Sequence, residues 1–280
     1  MRMRKDKKTI LKVLLILLLV GWMCYTNLSV GITRYEVAFE VLPESFAGFR
    51  IAQVSDFHNC KLGNEALEQL KKSSPDIIAI TGDLIDSRKT KPDVALDFIK
   101  EAVKIAPCYY VSGNHEARIK NEYEAIREQM LEYGVTVLEN EAITLKINET
   151  EINLIGLADP RFSYDSDSKG KACEEISKSL KPLLNEKMYN LVLCHRPEAF
   201  NEYATNGVDL ALAGHAHGGQ IIIFGIGAVA PNQGIFPKYI KGIYEKENTK
   251  MVVSRGVGNS LFPFRLNNRP EIVQINLKGE

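Results

Sequence analysis

The sequence predicts an α/β fold, and three observations predict it. Runs of strand length, among them "FRIAQVSD" (49–56), "DIIAITGD" (76–83) and "VDLALAGH" (208–215), are apolar almost throughout. Strands buried on both faces read this way. Segments with apolar residues about a turn apart alternate with them, as in "NEALEQLKKSS" (64–74) and "NEYEAIREQMLEYG" (121–134), which is the helical period. The strand-like runs close one after another on polar residues: "SD", "TGD", "SGNHE", "LCH" and "AGH".

The elements follow in order from the N-terminus. Arg2, Arg4, Lys5, Lys7 and Lys8 precede an apolar run over 13–25. Extended to 9–28 the run has about 20 residues, enough for a helix to span a hydrocarbon core. Lys12 falls near its basic end, from which a lysine snorkels to the interface, and Trp22 and Tyr25 fall where an aromatic belt forms. A signal peptide has a shorter apolar region and a small-residue cleavage site. No A-x-A-like site follows here, so the expectation for 1–28 is an uncleaved anchor rather than a cleaved signal. The basic flank stays on the cytoplasmic side and the rest of the chain is exported.

Residues 29–48 read as a linker or edge segment, and 49–280 as the main domain. Within it, 49–56 is a strand, 64–74 a helix, 76–83 a strand and 93–105 a helix. "PCYYVSGNHE" (107–116) is a strand running into a loop, and 121–134 is a helix stopped at Gly134. Short β segments follow at "TVLE", "ITLKIN" and "INLIGLAD". A helix over 171–184, the strand "YNLVLCH", a short helix from Glu198 and the strand "VDLALAGH" come next. "KMVVSRGVG" and "PEIVQINL" are the last strands.

Composition narrows the function. The 35 basic residues equal the 35 acidic ones, so net charge is zero. No basic excess is available to neutralise many phosphates of a nucleic acid, and no nucleic-acid or protein partner is expected. The five cysteines, Cys24, Cys60, Cys108, Cys173 and Cys194, include no C-x-x-C pair, so neither a zinc ribbon nor a disulfide framework is indicated. Cys108 and Cys194 sit in apolar runs and read as small buried hydrophobes.

Histidine placement carries the functional signal. The chain has five histidines, His58, His115, His195, His215 and His217, and all five fall in the segments that close strands. Ligand sites of open α/β sheets form outside the carboxyl ends of their strands. Asp56, Asp83 and Asn114 share those segments. Imidazole, carboxylate and amide-oxygen donors together suit borderline divalent metals such as Zn, Mn or Fe. They exceed what one tetrahedral zinc needs, which makes two ions the natural count, and two metals can clamp both oxygens of a displacement at phosphorus.

In this order and spacing, "SDFH", "TGDLID", "SGNHE", "LCHRP" and "GHAHGG" resemble the five blocks of the calcineurin-like metallophosphoesterases, over residues 49–275. The resemblance is closest to the bacterial membrane-attached YkuE/YaeI-like branch, which has a similar "HGGQI" segment and a C-terminal signature similar to "SRGVGNSLFPFRLNNRPEIVQINL". It implies a four-layer α/β/β/α sandwich, here preceded by a transmembrane helix. It also implies that Asp56, His58 and His217 hold one divalent metal and Asn114, His195 and His215 a second. Asp83 bridges the two, with a nucleophilic hydroxide bridging opposite. His115 then binds no metal but faces the substrate and protonates the leaving oxygen. The expected substrate is a phosphomonoester, phosphodiester or pyrophosphate, with a lipid-linked or envelope compound of the UDP-diacylglucosamine type suggested by the anchor. That branch commonly has threonine where Ala216 stands, at a position that ligates nothing.

Other readings carry less. The H-x-H-x-D-H pattern of metallo-β-lactamases is absent, because Gly218 and Gly219 follow His217. A non-catalytic, metal-stabilised binding module would have no need of His115. Asp86 reads as a loop or capping residue. Arg118, Arg255 and Arg265 read as surface or structural arginines, although a guanidinium fork fits phosphate well. Phe262, Pro263 and Phe264 read as packing residues or a membrane-facing lip.

Overall fold

A computed structural model of the chain describes residues 2–164, 168–259 and 262–279. The side chains of the basic flank over 2–8, and residues 260 and 261 of the C-terminal signature, lie outside the described residues. The chain opens with α1 (Arg2–Asn27), whose window Ile10–Asn27 has mean hydropathy 1.9 and is 6% buried. By length and composition that window can cross a membrane. Its end is tied to the domain by a reciprocal pair: Asn27 Nδ2 donates to the Arg265 carbonyl at 2.9 Å, and the Arg265 N–H donates to Asn27 Oδ1 at 2.6 Å. The Arg269 guanidinium also lies over the Tyr25 ring, 4.7 Å from its centroid.

Next come β1 (Gly31–Phe39), β2 (Arg50–Val54), α2 (Gly63–Ser73), β3 (Ile77–Thr81), α3 (Pro92–Ala102), β4 (Cys108–Val111), α4 (Asn114–Arg118), α5 (Lys120–Glu132) and β5 (Thr136–Val137). The second half runs β6 (Glu141–Ile147), β7 (Thr150–Gly156), α6 (Lys169–Leu180), β8 (Asn190–Leu193), α7 (Phe200–Thr205) and β9 (Leu210–Ala213). Four two-residue strands follow, β10 (Ile222–Ile223), β11 (Ile226–Gly227), β12 (Val229–Ala230) and β13 (Gly234–Ile235). The chain then forms β14 (Gly242–Lys246), β15 (Thr249–Val253) and β16 (Glu271–Gly279).

Two six-stranded sheets result, in the orders β1-β16-β2-β3-β4-β5 and β14-β15-β9-β8-β7-β6. Strand alternation makes the layers. Ile51, Ile77 and Ala79 point from the first sheet toward Leu191, Leu193 and Leu212 of the second. Their neighbours Ala52, Ile78 and Ile80 point outward onto Leu70 of α2, Ile99 of α3 and Ile126 of α5. On the far side, Val192, Ala211 and Val253 meet Ile176 of α6 and Tyr203 of α7. The molecule is therefore the expected α/β/β/α sandwich. Gln53 sews the sheets together beneath their carboxyl edge, donating to Thr81 Oγ1 of β3 at 3.0 Å and to the Ala213 carbonyl of β9 at 2.9 Å.

Three local differences from the sequence reading have physical causes. Residues 114–118 form the short helix α4 rather than a loop, because Glu116 caps its start by accepting the Gly113 N–H at 2.7 Å. The helix expected over 171–184 ends at Leu180 and continues as a 3₁₀ turn carrying Pro182, which has no N–H to continue the ladder. Residues 222–246, to which the sequence reading assigns no element, form two short ribbons and β14. A ladder of two residue pairs is too short to leave a period.

Candidate metal centre

The carboxyl edges of both sheets meet at one place, and the eight metal-site and catalytic residues expected from the sequence are there. Asp56 and His58 follow β2, Asp83 follows β3, Asn114 and His115 open α4 after β4, His195 follows β8, and His215 and His217 follow β9. All eight are buried. Asp56, His58, Asp83, His215 and His217 have φ between 46° and 65°. In this left-handed region a non-glycine residue costs on the order of 1–3 kcal/mol. Hydrogen bonds hold it there: Asp56 N–H to the Gly82 carbonyl and His58 N–H to the Asp83 carbonyl, both 3.0 Å, and His215 N–H to the Asp56 carboxylate at 3.1 Å. Gly214 is required at the crossing, since a Cβ there would lie 1.8 Å from Ser55 Oγ and 2.6 Å from Asp56 Oδ2.

The donor atoms converge in two linked groups. His58 Nε2 lies 3.2 Å from His217 Nε2, which lies 3.3 Å from Asp56 Oδ1. His195 Nε2 lies 3.1 Å from His215 Nδ1 and 3.2 Å from Asp83 Oδ2. Asp83 Oδ2 is also 3.6 Å from His58 Nε2, so it touches both groups. A metal with bonds of ~2.1 Å at tetrahedral or octahedral angles sets its ligand atoms roughly 3.0–3.4 Å apart. The spacings therefore fit divalent cations. The Asn114 amide oxygen faces His215 Nδ1 at 2.8 Å, and its nitrogen faces the Arg118 guanidinium. Exchanging oxygen and nitrogen makes hydrogen bonds without a cation; the orientation with oxygen toward His215 is the one a shared cation would need.

Electrostatics favour the same use. Burial pushes His58 down to about 3, and His215 and His217 well below the ordinary histidine range, with Arg196 adding to it at His215 and His58 at His217. A neutral imidazole keeps the lone pair a metal needs. Burial would lower His195 too, but Asp83 and Asp56 raise it to about 10. Burial opposes the charge of Asp83, yet His195 and His115 outweigh it and hold this carboxyl well below its usual range. Asp56 is pushed by burial up to about 6, with His195 pulling the other way. The His195 proton thus occupies the place a divalent ion would take between two carboxylates.

Supporting partners fix each ring and carboxylate. His195 Nδ1 lies 2.7 Å from the Thr81 carbonyl and donates there, which aims Nε2 at the carboxylates. Ser55 Oγ donates to Asp56 Oδ2 at 2.7 Å. Asn268 holds the last block by donating to the His217 and Gln220 carbonyls at 2.7 and 3.1 Å. Ala216, the departure noted in the sequence, is fully buried in the apolar layer between the second sheet and its helices, where its methyl packs. His115 is arranged differently. Its Nδ1 accepts the Ser87 N–H at 3.0 Å and lies 3.5 Å from Asp86 Oδ1, while Nε2 is 4.0 Å from Asp83 Oδ2. The ring proton is therefore on Nε2, facing the site. Burial lowers His115 from its ordinary value, with Asp83 opposing.

A cavity of about 280 Å³ opens over this cluster, lined by His115, Asn114, Arg88, Arg118, Asn232 and Phe262 among others. Arg255 and Arg265 are structural, as read: Arg255 pairs with Glu271, and the buried Arg265 donates to the Arg255 and Gly258 carbonyls. Several participants were missed from sequence. Asp86, read as a loop residue, binds Arg88 through both oxygens and sits against His115. Arg196 is fully buried, bonds both oxygens of Asp159 at 2.6 and 2.9 Å, and lies 3.2 Å from His215 Nε2. Glu116 accepts the N–H groups of Asp83, Ile85 and Gly113 at 3.0, 2.9 and 2.7 Å. The sequence signal for Glu116 was its place three residues after Gly113, the N3 position of a capping box. Asp159 had no local signal.

Comparison with known proteins agrees with this architecture. Residues 49–219 match the family described as calcineurin-like phosphoesterase. YkuE of Bacillus subtilis (strain 168), named as an uncharacterized metallophosphoesterase, is 28% identical over 261 residues, covering 88% of this chain and 85% of YkuE. The phosphodiesterase YaeI of Escherichia coli (strain K12) is 27% identical over 252 residues, covering 87% of each chain. The crystal structure of the phosphopantetheinyl hydrolase PptH from Mycobacterium tuberculosis superposes with a TM-score of 0.51 at 12% identity, covering 74% of this chain and 89% of PptH. That last likeness concerns the fold. With more than half of its length matched and the Asp, His and Asn donors of its strand ends gathered in one buried cluster, the chain belongs to the calcineurin-like phosphoesterases, metal-dependent hydrolases of phosphoric esters.

Proposed function

We propose that Asp56, His58 and His217 hold one divalent ion and Asn114, His195 and His215 a second, with Asp83 shared. The observation that carries this reading is the convergence of donor atoms from separate strand ends, Asp56, His58 and His217 in one group and Asp83, His195 and His215 in another, each within 4.8 Å. His58, Asp83 and His115 form a third such group. His115 is kept out of the ligand set because its Nδ1 accepts the Ser87 N–H, which leaves the proton on Nε2, the atom facing the site. Manganese, zinc or iron would suit these donors. When bound, such ions lower the pKa of a water toward neutrality and offset charge on the phosphoryl oxygens.

The chain's own residues do the rest. Asp83 and Asp56 keep the donors in register through the backbone bonds they accept. His115, carrying its proton on Nε2, donates it to the leaving oxygen, a role worth about 10²–10⁴ in rate. Arg88 and Arg118 line the cavity, where a guanidinium pairs with phosphate. The bond hydrolysed is a phosphodiester, monoester or pyrophosphate, and the name of YaeI supports the diester. The helix α1 anchors the enzyme with its catalytic domain on the extracytoplasmic side, and the substrate is a lipid-linked or envelope phosphoester, a UDP-diacylglucosamine type included.

The test uses the full chain in detergent, stripped with EDTA and reloaded with Mn, Zn or Fe. Hydrolysis of p-nitrophenyl phosphate or bis(p-nitrophenyl) phosphate should vanish on stripping and return at two metal equivalents per chain. Full activity at one equivalent, or an Asp83→Asn protein that still binds two, would sink the shared-carboxylate arrangement.

A further inference from the structure

The two ribbons that follow the last metal block expose apolar side chains that the fold does not use. β10 and β11 pair as a hairpin through Ile223 and Ile226, with Phe224 and Gly225 as its two-residue turn. Both turn residues have positive φ, 51° and 84°, as a type I′ turn demands. Asn-Gly is the usual choice for that turn. Here the first position is Phe224, which is 100% exposed. Phe236, just after β13, repeats the pattern at φ 54° and 73% exposure, beside Ile235 at 74%. A bulky aromatic at positive φ is strained, and these two gain little burial in return. A strained backbone outlier is a pointer to function.

These residues sit on ribbons whose neighbouring residues line the cavity, and hydrogen bonds link the ribbons to the end of α1. The Ala228 N–H bonds the Gly219 and Ile221 carbonyls, so the ribbons leave directly from the block that carries His217. Val229, Ala230 and Pro231 line the cavity itself, as does Phe262. The Ile222 N–H bonds the Leu266 carbonyl, and Asn267 donates to the Ile222 carbonyl at 3.1 Å. Arg265, next in line, holds Asn27 at the end of the apolar helix window, and the exposed Phe262 and Phe264 come just before it in the chain. The segments bonded to one another and to the end of α1 thus expose Phe262, Phe264, Phe224, Phe236 and Ile235, which make up the rim. Exposed apolar patches mark interaction surfaces, and aromatic side chains favour the membrane–water boundary.

We propose that this rim inserts into the interface of the bilayer that α1 crosses, so that the cavity opens toward the membrane and takes a phosphate ester carried on a lipid. The inference rests on reading the cluster as a phosphoesterase site and α1 as an anchor. It commits to lipid, rather than a protein, as what covers the rim, because the rim is bonded to the end of the apolar helix.

The chain has one tryptophan, Trp22, so Trp22→Phe gives a silent background for the full chain in phosphatidylcholine/phosphatidylglycerol vesicles. Phe224→Trp and Phe236→Trp report on the rim. Glu149→Trp reports on the β6–β7 turn, at the sheet edge opposite the site, where the Glu149 side chain is 97% exposed. Brominated acyl chains should quench emission at 224 and 236 and leave 149 unaffected. Equal quenching at all three positions overturns the proposal, and so does a blue shift at 224 without bromine quenching, which would assign the rim to a protein contact. In a second arm, phosphatidic acid in the vesicles should inhibit bis(p-nitrophenyl) phosphate hydrolysis at a bulk concentration about tenfold or more below that of glycerol 3-phosphate, with the advantage lost in Phe224→Ser/Phe236→Ser. Equal inhibition by the two refutes the lipid-borne substrate. An inactive parent refutes the phosphoesterase reading, while the quenching still decides the rim.

Discussion

Replacing Glu116 by glutamine tests how the segments that follow β3 and β4 are kept in register. Glu116 is fully buried, and its Oε2 accepts from the Asp83 and Gly113 N–H groups while Oε1 accepts from Ile85. An amide supplies one oxygen only. In its better orientation Oε2 survives, and the NH₂ meets the Ile85 N–H head on. A buried donor left without an acceptor costs about 1–3 kcal/mol, and the two remaining bonds lose the extra strength of a charged acceptor. The total is roughly 2–4 kcal/mol, which lowers Tm by about 5–15 °C for a domain of this size. Burial and Asp83 push the Glu116 carboxyl up to about 7. The amide imitates its protonated form, in which one oxygen has become a donor facing the same backbone N–H groups. Because Glu116 spaces Asp83 from Asn114, metal affinity should also fall about 10–100-fold. Thermal unfolding in detergent, with and without EDTA, and metal analysis give the readouts. A Tm within about 1 °C of the parent, with metal content unchanged, would refute the capping argument.

Three further outcomes are expected. His115→Ala should keep its metals and lose about 10²–10⁴ in kcat on bis(p-nitrophenyl) phosphate; unchanged turnover removes His115 from proton transfer. In metal-stripped protein, His195 is raised to about 10 from an ordinary value of 6.5, so its folded state holds the proton longer than the unfolded one. That stabilisation is complete below pH 6.5 and disappears as pH rises through about 10. Denaturant midpoints should therefore fall across this range, and metal, by displacing the proton, should flatten the fall. Gly214→Ala would drive a Cβ to 1.8 Å from Ser55 Oγ; a loss of about 1–3 kcal/mol together with reduced metal content is expected by unfolding and metal analysis.

The strand ends were legible because each buried strand announces itself as an apolar run and hands its polar residues to the same rim. The ribbon residues Phe224 and Phe236 were not, since nothing local distinguishes an exposed aromatic from a packed one. Arg196 with Asp159 was hidden for another reason: 37 residues separate the partners, and only the fold joins them. The short helix α4 was likewise set by tertiary bonds, with Glu116 as the agent, whereas the two ribbons pair locally over too few residues to leave a period. The deepest omission concerns β16. Its apolar pattern says strand, but not that it lies between β1 and β2, parallel to one and antiparallel to the other.

That placement has a kinetic consequence. Gly31 pairs with Glu271 and Phe39 with Gly279, so the first sheet is incomplete until residues 271–279 arrive. Until then β1 has no neighbour, and β2 presents an open ladder. Closing a loop of that length is entropically costly and slow. β2, β3 and β4 can assemble beforehand, and β16 then docks as the keystone between them and β1. Truncation within β16 should leave a chain that collapses but keeps two unsatisfied strand edges, prone to pair with another copy. Aggregation of such truncations during refolding, and not a simple loss of activity, is the expected signature.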